Sequence, residues 1–218
     1  MRAASDEKVR NGVRHGPDTR MSKYHNDRSA ASDPLSIQLS DKKLKVFHPE
    51  LYGLRGLLPR FKFCGKMLDG RQTRAMLAEH VALGDSRAAL VMRVEPNLLV
   101  AAYTDEMDSA AVLSFSASLA AQYQLKPGSR LLTTNTYGRG GKLQRDLWEG
   151  PASYRRYTSY FPIIAEFVSD DLAAIEGRKR AIPEAEWLRI RQIAKEQLAK
   201  GDAMLVRDGR PLLSWRTP

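Results

Sequence analysis

The chain has 218 residues, 43% of them hydrophobic, which suits one substantial domain and excludes disorder throughout. Its formal net charge is +10, which favours an anionic macromolecular partner, a nucleic acid or an acidic protein. A single cysteine, Cys64, excludes an internal disulfide, and no run reaches the roughly 18 apolar residues of a membrane helix.

Residues 1–34 contain no Leu, Ile, Phe or Trp, so they lack the apolar surface that offsets the entropy of ordering. They are expected to form a disordered polar tail, followed by a single α+β domain over 35–218. The tail has no apolar stretch of the kind a signal peptide carries, and a cytoplasmic location without a membrane partner is expected. No feature of the sequence specifies an oligomeric state.

The charge is unevenly placed. Residues 35–75 hold nine Lys and Arg against three acids, whereas 76–136 are mildly acidic. Within the basic segment, Lys43 to Pro49 alternates apolar and polar residues and predicts a short strand. The glycine-rich stretch that follows predicts a long loop with local turns and a strand over 60–64. Thr73, Met76, Leu77, His80 and Val81 recur at helical spacing and predict a helix over 71–83, ending before Gly84.

Three apolar runs, 88–95, 98–104 and 109–115, are separated by turn residues and predict an antiparallel meander. A short helix over 116–124 and a fourth strand over 129–137 follow. Tyr154, Tyr157, Phe161, Ile164 and Val168 then lie at helical spacing, with Pro162 suited to a first helical turn. Ser169, Asp170 and Asp171 offer a helix cap. The stripe Trp187, Ile190, Ile193, Ala194 and Leu198 predicts a helix that starts after Pro183 and stops at Gly201. Residues 203–215 predict a hairpin around Asp208-Gly209. The fold class is therefore α+β: an antiparallel sheet of at least three strands within 88–137, packed against C-terminal helices, with a C-terminal hairpin.

The stretch TTNTYGRGGKLQ, residues 133–144, carries the strongest hint of chemistry. A Walker loop requires a glycine where Thr136 stands and a magnesium-binding hydroxyl where Leu143 stands, so that motif fails. A dinucleotide fingerprint fails at Leu143 too. What remains is a turn that can present N–H groups to an anion, with Gly138, Gly140 and Gly141 beside Arg139, Lys142 and Arg145. A second basic and aromatic stretch holds Arg155, Arg156 and Tyr157, able either to contact nucleic acid or to pack a helix.

Asp105, Glu106 and Asp108 read as a solvated hairpin tip, since the calcium-loop pattern is missing. The four histidines and the lone cysteine give no zinc motif, and no nucleophile elbow occurs. Neither a cofactor nor a metal is expected. These features favour a non-enzymatic binding or regulatory protein engaging an anionic partner. Two alternatives remain: an enzyme whose site gathers residues distant in sequence, among them His48, His80 and Cys64, and a structural or assembly subunit.

Overall fold

The alternation within the three central runs produces three adjacent strands. In the computed structural model, which describes residues 36–57, 61–63, 66–139, 142–147 and 157–211, these are β3 (Asp85–Arg93), β4 (Asn97–Thr104) and β5 (Ser109–Ser116). Before them come α1 (Asp41–Phe47), a two-stranded hairpin of β1 (Phe61–Phe63) and β2 (Lys66–Leu68), and α2 (Gly70–Leu83). After them come α3 (Ala117–Gln122), β6 (Arg130–Gly138), β7 (Ser159–Ile164), α4 (Ala165–Val168), α5 (Leu172–Ala181), α6 (Glu184–Ala199) and β8 (Val206–Asp208).

The large sheet has six strands in the order β7-β6-β3-β4-β5-β8. All neighbours are antiparallel except β5 and β8. The fold is α+β, as expected, with the C-terminal helices on the sheet.

Both faces of the sheet are apolar. Ala88, Leu90 and Met92 of β3 face Val81 of α2, Ile175 of α5, and Trp187, Ile190 and Ile193 of α6. Ala89 and Val91 face the opposite way, into a cluster with Val100, Leu113, Phe115, Tyr160 and Phe167. That second cluster lies on the concave side, because the sheet curls. The Tyr160 hydroxyl on β7 accepts the Ala111 N–H of β5 at 2.6 Å and donates to the Ala102 carbonyl of β4 at 2.6 Å. Ala102 and Ala111 are register partners, so the hydroxyl joins their ladder from across the concavity.

The two sheet edges also meet through a side chain. Arg207 of β8 donates to the Tyr160 carbonyl of β7 at 2.9 Å and lies over the Tyr160 ring. The same guanidinium takes Asp146 in a two-pronged pair and the Gln144 amide oxygen at 2.8 Å. Both members of the Arg207–Asp146 pair are largely buried.

Several helix ends follow from local chemistry. Asp69 and Gln72 form a reciprocal capping box at the start of α2. Asp171 caps α5 by accepting the Ala174 N–H. Arg178 of α5, fully buried, donates to the Ala82 carbonyl at 2.6 Å and so ties α5 to the last turn of α2.

Three expectations are corrected. Residues 41–47 form a helix, not the strand predicted from alternation in 43–49. Ser40 caps it, and Leu44, Phe47 and His48 fall at i, i+3 and i+4 on its inner side, while Val46 stands 75% exposed. Residues 159–164 form a strand, not part of a helix. Successive side chains there enter opposite clusters, Ile163 towards the helices and Ile164 into the concavity. Pro162 is tolerated because β7 is an edge strand.

The second arm of the hairpin expected around Asp208-Gly209 lies outside the described residues. β8 runs parallel to β5, and the Gly209 N–H donates to the Ser114 carbonyl. A Cβ on Gly209 would stand 2.3 Å from the Phe115 ring, so glycine is needed for close approach. In the last helix, Leu198 is 39% exposed and Gln197 is buried instead. The tail over 1–34, Tyr154 and residues 212–215 of the expected hairpin lie outside the described residues.

Tyr160→Phe removes the hydroxyl that joins β7 to Ala102 and Ala111 across the concavity. The expected loss is about 1–2 kcal/mol, seen as a fall in melting temperature of several degrees. A melting temperature equal to that of the wild type would show that the ladder closes without the hydroxyl.

Candidate functional site

The excess charge of residues 35–75 becomes a surface through two short helices and one tyrosine. Lys42 and Lys45 lie three residues apart on α1, both exposed, and Arg71 and Arg74 lie three apart on α2. Such pairs project from one side of a helix. Tyr52 sits between the two helices, its ring 4.7 Å from the Arg74 guanidinium and 6.0 Å from the Lys45 ammonium. These contacts are cation–π attractions, and they hold the two basic pairs beside one another.

The acids of this segment are turned to internal tasks. Asp41 accepts the Tyr52 hydroxyl at 2.8 Å. Glu50 pairs with the buried His48 at 2.7 Å, and Asp69 caps α2. Lys42, Lys45 and Arg71 form no ion pair among the described residues. Lys42, Lys45 and Arg71 are thus left to solvent, while Lys43 and Arg74 are paired with Asp170 and Asp41.

Of the glycine stretch, the described residues are those up to Arg139 and from Lys142 onward. Gly138 is the last residue of β6, opposite Ser159, and a Cβ there would stand 2.3 Å from the Ser159 Oγ. Arg139, Lys142 and Arg145 are exposed. The Arg139 guanidinium lies 5.5 Å from the Tyr157 ring, which is buried and 5.0 Å from the Tyr137 ring. Tyr157 thus packs under Arg139. Gly140, Gly141, Arg155 and Arg156 lie outside the described residues.

The acidic tip between β4 and β5 is not a freely solvated turn. Asp105 pairs with Arg87. Asp108 takes Arg189 in a two-pronged pair and the Tyr103 hydroxyl, which together hold its carboxyl below the usual range, Arg189 being the larger cause. Glu106 is buried. Arg87 is also bonded to the buried Asp85 at 3.0 Å and lies 3.6 Å from Glu186. Burial by itself would lower the Arg87 pKa, but these carboxylates outweigh it and raise it.

Two glutamates have a task that nothing in the sequence signals. Glu186 of α6 accepts the Ala88 N–H of β3 at 2.7 Å, next to the first β4 register pair at Ala89. Glu166 of α4 accepts the Leu132 N–H of β6, just beyond the last β7 pair at Thr133. Each carboxylate stands where the pairing with a neighbouring strand has ended. Burial raises the pKa of both, and the charges of Arg87 and Lys179 oppose that rise.

The two described histidines from which an enzyme site was conceivable have separate partners. His48 contacts Glu50 and the Pro211 carbonyl. His80 contacts the Thr134 carbonyl through Nε2 and the Thr136 hydroxyl through Nδ1. Cys64 lies outside the described residues. Among the described residues, no group of three or more His, Cys, Asp or Glu could hold a metal ion. Nor is any helix there long and apolar enough to cross a membrane.

Comparison with protein-family models, curated proteins and solved structures finds no match to this chain.

Burial lowers the His80 pKa from 6.5 to about 4. An unfolded chain protonates this ring below about pH 6.5, while the folded protein resists until about pH 4. The contribution is therefore complete above pH 6.5 and is lost as pH falls towards 4, by up to about 3 kcal/mol. His80→Gln, which keeps a donor for the Thr134 carbonyl, is expected to lack this loss. In denaturant titrations from pH 7 to 4, the gap in stability between wild type and variant should shift against the wild type. A constant gap would contradict the assignment.

Proposed function

We propose that this is a non-enzymatic binding or regulatory protein that engages an anionic partner, a nucleic acid or an acidic protein. The contact surface is the basic face of α1, α2 and Tyr52. One observation carries the reading: among the described residues of 35–75, the exposed Lys42, Lys45 and Arg71 lack ion pairs while Asp41, Glu50 and Asp69 are each held by the protein's own groups. A polyanion can therefore meet Lys42, Lys45 and Arg71 without first displacing an internal carboxylate. Arg139, Lys142 and Arg145 supply a second group of exposed cations at the end of β6.

For a nucleic acid, binding releases condensed counterions, so affinity falls steeply with salt. The full chain is expected to retain single- or double-stranded oligonucleotides on filters at about 50 mM salt and to lose them at about 200 mM. Replacing Lys42 and Lys45 by Ala should reduce the slope of log affinity against log salt by about 2. Replacing Arg139 and Lys142 by Ala measures what the glycine stretch adds. Retention of neither DNA nor RNA at low salt would confine the reading to acidic proteins, with poly-L-glutamate as the probe. Failure to bind that probe as well would end the proposal.

A further inference from the structure

A separate groove of about 620 Å³ opens where the C-terminal end of α1, the end of β5, α3 and β8 converge. Its size falls in the range of small-molecule sites. Phe47, Phe115 and Leu119 supply an apolar floor, and the Phe47 and Phe115 rings meet edge to face at 6.5 Å. Gly209 presses its backbone against the Phe115 ring, which fixes that wall.

The polar lining is one-sided. Asp208 is the only carboxylate among the described residues that line it, both of its oxygens are occupied by Arg210, and Glu50 acts on Arg210 from outside the groove. Arg207 is spent on Asp146, Gln144 and the Tyr160 carbonyl. Arg210 uses only Nε and Nη2, so Nη1 is free, and Arg210 is about half exposed. The Asn97 and Gln122 amides and the Ser114 hydroxyl likewise carry no hydrogen bond among the described residues. The groove thus has its acceptor charge quenched and its donors available, around an apolar floor.

We propose that this groove binds a small molecule with a ring-shaped apolar body and one carboxylate. The body lies against Phe47, Phe115 and Leu119, and the carboxylate meets the free edge of Arg210. The local Arg210–Asp208 pair is half exposed and contributes little, so a ligand carboxylate can share the guanidinium or take it over. Asn97 and Gln122 donate to further acceptors on the ligand rim.

The test uses the isotope-labelled full chain and two probes, 1-naphthaleneacetate and the neutral 1-naphthaleneacetamide, followed by amide NMR shifts. The acetate is expected to bind at one site, with shifts confined to residues 46–47, 97, 114–122 and 206–210, and about tenfold more tightly than the amide. Arg210→Gln should bring the acetate down to the affinity of the amide. Asp208→Asn should tighten the acetate, because it releases Arg210. Equal affinity for the two probes, an unchanged acetate affinity in Arg210→Gln, or shifts centred elsewhere would each overturn the proposal. So would the absence of shifts with either probe at millimolar concentration in a wild-type chain whose spectrum is that of a folded protein.

Discussion

The curl of the six-stranded sheet rests on a contact between its two edges that is made by side chains. β8 is only three residues long and cannot close a ladder against β7. Tyr160 and Arg207 do this instead, one crossing the concavity to β4 and β5, the other bridging from β8 to the β7 backbone. The concave apolar cluster exists because of that closure, since Val100, Leu113 and Phe167 would otherwise face water. The Arg207–Asp146 pair is buried, and removing one member of such a pair costs about 3–5 kcal/mol. That penalty falls on a variant that keeps one charge and loses the other, which leaves the remaining charge buried and unpaired at the seam.

The strand ends raise a related problem. Unpaired N–H groups beside a buried core need an acceptor. Glu186 and Glu166 meet that need from helices and so fix where α6 and α4 sit on the sheet. A carboxylate in a buried setting is itself costly. Arg87 and Lys179 offset that cost, and they belong to β3 and α5 respectively. Strand termination, helix placement and charge pairing are therefore one problem with one solution.

The central meander was legible because its strands alternate or run apolar between turn residues, and α6 was legible from its stripe. The failures share a cause. Lys43 to Phe47 fits both a period of 2 and a period of 3.6 over so few residues, and the cap at Ser40 decided in favour of helix. Tyr160 to Ile164 is apolar on every side because the strand divides two cores, and a continuous apolar run has no period to read. Gly138 and Gly209 looked like loop and turn residues. Both are glycines because another chain passes close by, which depends on partners far away in sequence. Of the basic surface, the charge excess before the sheet was visible in the sequence, but Tyr52 as its organiser was not.

The net charge of the sequence acquires meaning from how the carboxylates are used. Asp41, Asp69, Asp85, Asp146, Glu166 and Glu186 all bind groups of the protein itself, as caps, strand-end acceptors or partners of buried arginines. A fold that consumes its acids in this way leaves more cation than anion at the surface than the composition alone would suggest. The excess is then directed by geometry. Around β3 and α6 the cations are matched, Arg87 by three carboxylates and Arg189 by Asp108. On α1 and α2, Lys43 and Arg74 reach Asp170 and Asp41, whereas the exposed Lys42, Lys45 and Arg71 form no ion pair among the described residues. The difference comes from the neighbourhood rather than the residue type: the first group lies where the sheet and helices pack, and the second lies on helices that bury only one side.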